Sequence, residues 1–219
     1  MPLPSPVHPV DATHHRSGSA TPVRRMLAEE TPVAMVYGGT TQAVMMASPA
    51  DLEDFAVGFS LTEGIVTTAA QIASIEVMDH PRGVEAQMWL SEDRAEALAA
   101  RRRFMAGPVG CGLCGIDSLD QATRGLPDLS GVGPVLDAAQ VAQATDLLRD
   151  WQPLHDRTRA VHAAGFLVPG QGIVLAREDV GRHNALDKLI GALLRGGIDP
   201  ASGFVAMTSR CSFELVQKA

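Results

Sequence analysis

The sequence is short of cysteine, of positive charge and of long apolar runs. Three cysteines among 219 residues are too few, and odd in number, for a disulfide scaffold, so we expect thiols in a reducing compartment unless chemistry or a metal uses them. The formal net charge of −7 lacks the basic footprint of nucleic-acid binding. No apolar run is long enough to span a bilayer or to form the core of a secretory signal. We therefore expect a cytoplasmic protein that binds neither nucleic acid nor membrane.

Composition and periodicity indicate a packed fold that begins after the first residues. Hydrophobic residues make up 46% of the chain, which indicates a globular core. Strands and helices alternate in the second half, which predicts α/β layers with helices against a sheet. We divide the chain into a disordered tail at 1–25, an α+β portion at 26–103, a glycine-rich loop at 104–134 and an α/β portion at 135–219. The helical pattern begun at Ser212 is still running at Ala219, so we expect a C-terminally truncated chain.

Cap and turn residues predict where several elements begin. Ser48, followed by Pro49, predicts the N-cap of a helix, and Asp137 with Gln140 predicts a capping box. A further helix is predicted to open near Gly181. Strands are predicted over 33–37, 42–47, 72–78, 84–90, 161–168, 172–176 and 203–207.

Cys111 and Cys114 form a Cys-x-x-Cys pair in a loop crowded with glycine. The pair fits half of a zinc site, a redox dithiol, a sulfur carrier, or simply two small buried residues. Zinc needs two more ligands, which His162 and His183 supply only if the fold brings them near. A redox pair usually opens a helix after a strand, whereas a glycine-rich loop suits a mobile arm that exposes a thiolate. The pair alone leaves these interpretations open.

The segment 177–184 passes from a predicted strand into the start of a helix. Backbone amides at a helix start favour anions, and Arg182, His183 and Lys188 are able to add positive charge around a phosphate there. The alternative is an ordinary solvated helix start, capped by the two acidic residues that precede Gly181.

Two other places hold candidate residues. His162 stands among small residues and is either a ligand or a satisfied core histidine. The segment 209–218 places polar groups at a helix start that follows a strand, which is a usual ligand position in α/β sheets. Within it, Cys211 is interpreted as a small packed residue.

Together these segments closely resemble the FdhD family, the sulfur-carrier accessory proteins of formate dehydrogenase. The joint match, in the family's order, is far more specific than any one motif. The matching stretches are Glu29-Glu-Thr-Pro32, Leu52-Glu-Asp-Phe-Ala-Val-Gly-Phe59, Thr62-Glu-Gly-Ile65, Gly110-Cys-Gly-Leu-Cys-Gly115, His162-Ala-Ala164, Glu178-Asp-Val-Gly-Arg-His-Asn-Ala-Leu-Asp-Lys188 and Ser212-Phe-Glu-Leu-Val-Gln-Lys-Ala219.

The resemblance implies a cytidine-deaminase-like layered αβα fold and a homodimer. It implies that a cysteine desulfurase loads a persulfide on Cys111, with Cys114 as the second thiol. The sulfur then passes to the molybdenum (or tungsten) bis(molybdopterin guanine dinucleotide) cofactor of formate dehydrogenase, and no permanently bound metal is implied. The family's cofactor-binding stretch matches Phe213, Glu214, Leu215, Val216, Gln217 and Lys218, and with it we group His162, Gly181, Arg182 and His183.

The chain departs from the family and from zinc deaminases at particular residues. Arg159 and Ala160 stand where the family commonly has two glycines. A zinc deaminase needs His-x-Glu before its cysteine pair, but Ala164 takes the glutamate position after His162, and the Cys-x-x-Cys pair precedes that histidine. Two other functions stay open, namely a cofactor-binding chaperone that moves no sulfur and a structural zinc protein.

Overall fold

The computed structural model describes residues 2–104 and 128–219, with side chains described up to residue 98 and again from 128. Cys111 and Cys114 lie outside the described residues, as does most of the predicted glycine-rich loop. Within the described ranges no helix is both long and apolar enough to cross a bilayer.

The described part of the chain is a mixed α/β fold with three sheets, as the sequence predicts. The likeness to the deaminase fold stays an expectation of the resemblance. In chain order the elements are β1 (Val7–Arg16), β2 (Ser19–Ala28), β3 (Thr31–Tyr37), β4 (Thr40–Ala47), α1 (Leu52–Thr62), β5 (Ile72–His80), β6 (Gly83–Leu90), α2 (Glu92–Phe104), α3 (Ala138–Arg149), α4 (Pro153–Thr158), β7 (His162–Val168), β8 (Gly172–Asp179), α5 (Arg182–Arg195), β9 (Phe204–Met207) and α6 (Phe213–Lys218).

The first half is built on a four-stranded sheet in the order β4-β3-β6-β5. Strand β3 pairs antiparallel with β4 and parallel with β6. Alternate residues of β3 and β6 point to one face, since side chains in a strand alternate between faces. There Val33, Met35 and Met88 are fully buried against Phe55 of α1. The opposite face of α1 packs against the second half of the chain.

The second half is a three-stranded antiparallel sheet, β8-β7-β9, with a helix on each face. Leu148 of α3 packs with Ala163 on one face. Leu189 of α5 packs with Ala164 on the other. The central strand β7 is therefore apolar throughout its interior rather than alternating, because both of its faces are covered.

The N-terminal segment differs from the expected tail, because residues 7–28 form a regular antiparallel hairpin. Ser17 and Gly18 link the strands with φ angles of 47° and 82°. Two successive positive φ angles are what a two-residue type I′ turn requires. The Ser-Gly pair was therefore a turn signal that the proline-rich composition obscured.

Helices α1 and α5 join the two halves by crossing almost backbone to backbone. A Cβ atom added at Gly58 would lie 1.7 Å from the carbonyl oxygen of Asp187. One added at Gly191 would lie 1.9 Å from that of Asp54. No side chain larger than hydrogen fits either position, so the two glycines set how closely the halves approach.

The predicted N-cap at Ser48 is wrong. Helix α1 begins at Leu52, with Asp51 as its N-cap in the left-handed conformation (φ 54°). Ser48 is instead fully buried between the halves. Its N–H donates to Asp179 Oδ2 at 3.0 Å, and its Oγ accepts from the N–H of Val180 at 3.1 Å. The serine therefore ties the end of β4 to the end of β8.

Candidate functional site

The starts of β7, α5 and α6 meet at one edge of the second sheet. His162 begins β7, and its register partner is Asp179 at the end of β8. Gly181 is the residue before α5. The N–H of Ala163 donates to Thr208 Oγ1 at 2.9 Å, and the N–H of Thr208 donates back to the carbonyl of Ala163 at 3.1 Å. These bonds hold the segment that leads to α6 beside the start of β7.

Asp179 is a buried carboxylate beside the start of α5. Its Oδ1 accepts from the N–H of Gly181 at 2.7 Å and from Asn184 Nδ2 at 3.0 Å. Its Oδ2 lies 2.7 Å from Lys188 Nζ, and both side chains are fully buried. Lys188 also donates to the carbonyl of Ser48 at 2.9 Å. The suggestion that Lys188 adds charge around a phosphate is therefore wrong, whereas Gly181, Arg182 and His183 at the helix start are partly buried.

Arg182, His183 and Ser212 carry the unsatisfied side-chain atoms of this region. Arg182 Nε, His183 Nε2 and Ser212 Oγ are buried and have no hydrogen-bond partner among the described residues. Burial, followed by the charges of Arg182 and Lys218, lowers the pKa of His183. Burial, followed by the charge of Arg182, likewise lowers the pKa of His162. A fixed cation flanked by two neutral imidazoles offers donors that an anion satisfies.

Glu214 supplies the negative charge at this place. A hydrogen bond from its own backbone N–H lowers the pKa of its carboxyl group, and the nearby His183 and Arg182 lower it further. The carboxylate therefore stays ionised in the vicinity of the Arg182 guanidinium.

Lys218 was predicted to bind the cofactor, but its ammonium already has partners. Its Nζ lies 2.9 Å from Asp187 Oδ2 and 2.9 Å from Glu63 Oε1, and it donates to Thr62 Oγ1 at 3.0 Å. Burial alone would lower the pKa of Lys218, but the two carboxylates outweigh burial and raise it. The lysine anchors α6 to α1, so a phosphate would have to displace carboxylates to reach it.

The other residues of the C-terminal stretch divide between core and surface. Leu215 is buried, whereas Phe213 and Val216 are 56% and 49% exposed. Gln217 is partly buried. Cys211, predicted to be packed, is an exposed free thiol. The structure therefore brings His162, Arg182, His183 and Glu214 together. Phe213 and Val216 are exposed nearby on α6. Leu215 and Lys218 face the protein interior and are not available to a ligand.

A second cleft, of about 280 Å³, lies between α4 and the end of β8. Two of its charged side chains, Arg177 and Glu178, are already engaged, and a third, Arg157, is exposed to solvent. Arg177 Nη2 lies 2.7 Å from Asp54 Oδ2, and Glu178 accepts from the N–H groups of Leu154 and His155 at 2.7 and 2.8 Å. None of the residues that line this cleft has a buried side-chain polar atom without a partner. We therefore place the candidate site at the start of α5.

Sequence reasoning missed three residues that support the site. The local sequence gave no signal for the bonds that Ser48 and Asp187 make, because their partners lie far away in the chain. Glu178 caps α4, which was not predicted, although Pro153 at its first position is a usual start signal. Among the described residues no group of three or more His, Cys, Asp or Glu side chains is arranged to hold a metal. The cysteine pair is outside those residues, so the zinc hypothesis stays untested.

The protein has a mixed α/β fold, and buried polar side-chain atoms without partners lie at the starts of α5 and α6. A protein of this class is suited to binding an anionic ligand. The chain belongs to the FdhD/NarQ family, whose model matches residues 28–219.

Two relatives resemble the chain in sequence, and one solved structure resembles it in fold. A protein of Agrobacterium fabrum named sulfur carrier protein FdhD is 54% identical over 209 residues, which cover 95% of this chain and 77% of the relative. One of the same name from Bordetella petrii is 51% identical over 92% of this chain and 72% of its own length. A crystal structure from Desulfotalea psychrophila, of a protein assigned as a formate dehydrogenase accessory protein, matches with a TM-score of 0.68 at 23% identity, covering 99% of this chain and 78% of that one.

Proposed function

We propose that this protein carries sulfur for formate dehydrogenase. A cysteine desulfurase would load a persulfide on Cys111, and the sulfur would pass to the molybdenum (or tungsten) bis(molybdopterin guanine dinucleotide) cofactor destined for that enzyme. The observation that carries the proposal is family membership with relatives named sulfur carrier proteins. The unsatisfied donors of Arg182 and His183 support it, because the cofactor is a polyanion.

The sulfur chemistry requires two thiols. Its atoms and electrons balance without a metal bound to the protein. The Cys111 thiolate attacks the terminal sulfur of the desulfurase persulfide, whose cysteine leaves as a thiolate. Cys114 then attacks the inner sulfur of Cys111. A disulfide forms, and the terminal sulfur leaves as hydrosulfide for the cofactor. Because the pair is intramolecular, the second step has a high effective concentration. An external thiol must reduce the disulfide before the next cycle.

The start of α5 would hold the phosphates of the substrate cofactor. Arg182 offers its guanidinium, and His162 and His183 offer imidazole N–H groups, which bind phosphate oxygens well. The exposed rings and methyls of Phe213 and Val216 lie on the same short helix as Glu214. They would face the flat, apolar parts of the cofactor.

Mass spectrometry of persulfides tests the carrier step. The protein is incubated with a cysteine desulfurase, cysteine and pyridoxal phosphate, alkylated and digested. We expect a gain of about 32 Da on the Cys111 peptide, as for persulfidation. Cys211→Ala is the matched control, because Cys211 is an exposed thiol outside the pair, and it should load normally. Added sulfur on Cys211 but none on Cys111 would overturn the proposal.

Formate dehydrogenase activity in cells distinguishes sulfur transfer from cofactor holding alone. Cells that make only the Cys111→Ala form should lack activity, and cells that make the Cys211→Ala form should keep it. Full activity with Cys111→Ala would favour a chaperone that binds the cofactor and moves no sulfur. Metal analysis of the purified protein tests the zinc hypothesis. About one zinc ion per chain would support that hypothesis, and no zinc would exclude it.

Nucleotide binding tests the site itself. Guanosine diphosphate carries the guanine and pyrophosphate chemistry of the cofactor in a soluble form. Arg182→Gln should weaken its binding by roughly tenfold or more, since charge-assisted hydrogen bonds to phosphate are strong. Arg82→Gln is the matched control, because Arg82 is exposed in the turn between β5 and β6. If both variants and the parent bind guanosine diphosphate with equal affinity, the phosphates bind at a different place in the protein.

A further inference from the structure

Helices α5 and α6 are linked at two successive levels. His183 and Asp187 are four residues apart on α5, and Glu214 and Lys218 are four residues apart on α6. Residues at this spacing lie on the same face of a helix. The charge of His183 acts on the Glu214 carboxyl group, and Lys218 Nζ lies 2.9 Å from Asp187 Oδ2. His183 therefore faces Glu214 at the first level, and Asp187 pairs with Lys218 at the second.

The first level belongs to the candidate site, whereas the second is closed to a ligand. His183 Nε2 and Ser212 Oγ are buried at the first level without a partner among the described residues. At the second level Asp187 accepts from Lys218 through both carboxylate oxygens, at 3.0 and 2.9 Å, and from Thr62 Oγ1 at 2.8 Å. The Asp187 side chain is only 1% exposed. The second level therefore acts on a ligand through the helices that it joins.

Helix α6 is too short to hold its own position. It has six residues, and isolated helices shorter than about 12–15 residues are marginal in water. Leu215 is buried and attaches α6 to the body of the protein. Lys218 adds the pair with Asp187, a second pair with Glu63 Oε1 at 2.9 Å, and a position 5.8 Å from the centre of the Phe59 ring. Because one buried leucine leaves a short helix free to rotate, the contacts of Lys218 set the orientation of α6.

We propose that Asp187 is a positioning residue for ligand binding: by holding Lys218, it sets where α6 lies relative to the start of α5. Ser212, the N-cap of α6, and Glu214 then stay beside His183. The inference rests on the proposed anion site at the start of α5. If Lys218 instead bound phosphate itself, removing Asp187 would have the opposite effect on affinity.

Binding of guanosine diphosphate to Asp187→Ala separates the two roles by sign. If Asp187 positions α6, its loss should weaken binding by about tenfold, since small shifts in distance and angle cost a hydrogen bond much of its strength. If Lys218 binds phosphate, losing its carboxylate frees the ammonium, and binding should tighten. Asp187→Asn keeps the side-chain volume and serves as a second variant if the alanine form folds poorly. Tighter or unchanged binding by the folded variants would overturn the proposal.

Two further variants show what a negative result means. Val33→Ala, in the core of the first sheet, controls for lost stability and should bind guanosine diphosphate as the parent does. Weaker binding by Arg182→Gln, with unchanged binding by the Asp187 variants, would remove the positioning role and leave the anion site in place. Equal binding by Arg182→Gln and the parent would overturn the site together with the inference that rests on it.

The pKa of His183, measured by NMR without a ligand, reports whether α6 leaves its place. Burial, followed by the charges of Arg182 and Lys218, lowers this pKa from 6.5. If α6 moves away in Asp187→Ala, His183 gains solvent and loses the nearby ammonium, so its pKa should rise toward 6.5. If α6 stays, Lys218 lacks a counter-charge, and the pKa should fall further. A fall, or no change relative to Val33→Ala, would overturn the proposal.

Discussion

Replacing Lys188 by methionine tests whether the buried ion pair beside α5 stabilises the joint between the two halves. Lys188 Nζ lies 2.7 Å from Asp179 Oδ2 and 2.9 Å from the carbonyl of Ser48, with no exposed surface. Methionine keeps most of the apolar stem but removes the ammonium. The Asp179 carboxylate then stays buried without a cation.

The expected loss is large. Removing one partner of a buried pair typically costs about 3–5 kcal/mol. Asp179 keeps its hydrogen bonds from Ser48, Gly181 and Asn184, so we expect the lower end, about 3 kcal/mol. That is a large share of the roughly 5–15 kcal/mol by which a typical native domain is stable.

Urea unfolding followed by far-UV circular dichroism measures this loss. Arg149→Met is the control, because it breaks the solvent-exposed pair with Asp156 and should cost less than about 1 kcal/mol. Asp179→Asn and the double variant with Lys188→Met complete a cycle. The double variant should be more stable than the sum of the single losses predicts, by about 1–3 kcal/mol.

Two results would refute this reasoning. A loss for Lys188→Met no larger than that for Arg149→Met would mean that the ammonium contributes nothing at this joint. Strictly additive losses in the cycle would mean that Lys188 and Asp179 act independently despite their contact.

Three further predictions concern the helix crossing, a strained turn and the imidazoles. Gly58→Ala should lower the free energy of unfolding by about 3 kcal/mol, because overpacking here forces backbone apart. Urea unfolding measures the loss, and Gln143→Ala, on the exposed side of α3, gives the comparison. Arg159→Gly should raise stability by about 0.5–1 kcal/mol, since Arg159 ends α4 at φ 56° where glycine is unstrained; a loss would contradict it. The pKa of His183 is lowered from its usual 6.5, so as pH falls through 6.5 the unfolded chain binds the proton first and stability declines. His183→Gln should flatten that decline in urea titrations between pH 7 and pH 5, and an unchanged slope would disprove the assignment.

Features set by neighbouring residues were predictable from the sequence. The capping box at Asp137 forms as expected, with the N–H of Gln140 donating to Asp137 Oδ1 at 2.7 Å, because both partners lie within one helical turn. The strands of the four-stranded and three-stranded sheets lie close to their predicted positions for the same reason. The N-terminal hairpin shows the limit of composition, since the turn at Ser17 and Gly18 decides its structure.

Features that depend on distant partners were not predictable. Ser48 has every property of an N-cap, yet it bonds to Asp179, 131 residues later, and burial there outweighs its local preference. From the sequence, Lys218 resembles a cation that binds a ligand. In the structure its ammonium is already paired with Asp187 and Glu63. Arg182 and His183 were named from a motif, but their buried, unsatisfied nitrogens could be recognised only in three dimensions. Neither thiol of the Cys111 pair lies within the described residues, so their role rests on the sequence.

The crossing at Gly58 and Gly191 also determines which parts of the protein are able to move. Helices that touch through side chains slide by small rotamer changes, whereas two backbones in direct contact have no such layer to shear. The four-stranded and three-stranded sheets should therefore shift as one rigid unit. Any rearrangement that accompanies a ligand then falls to the periphery, namely the N-terminal hairpin of β1 and β2, the stretch 128–137 that leads into α3, and the short helix α6.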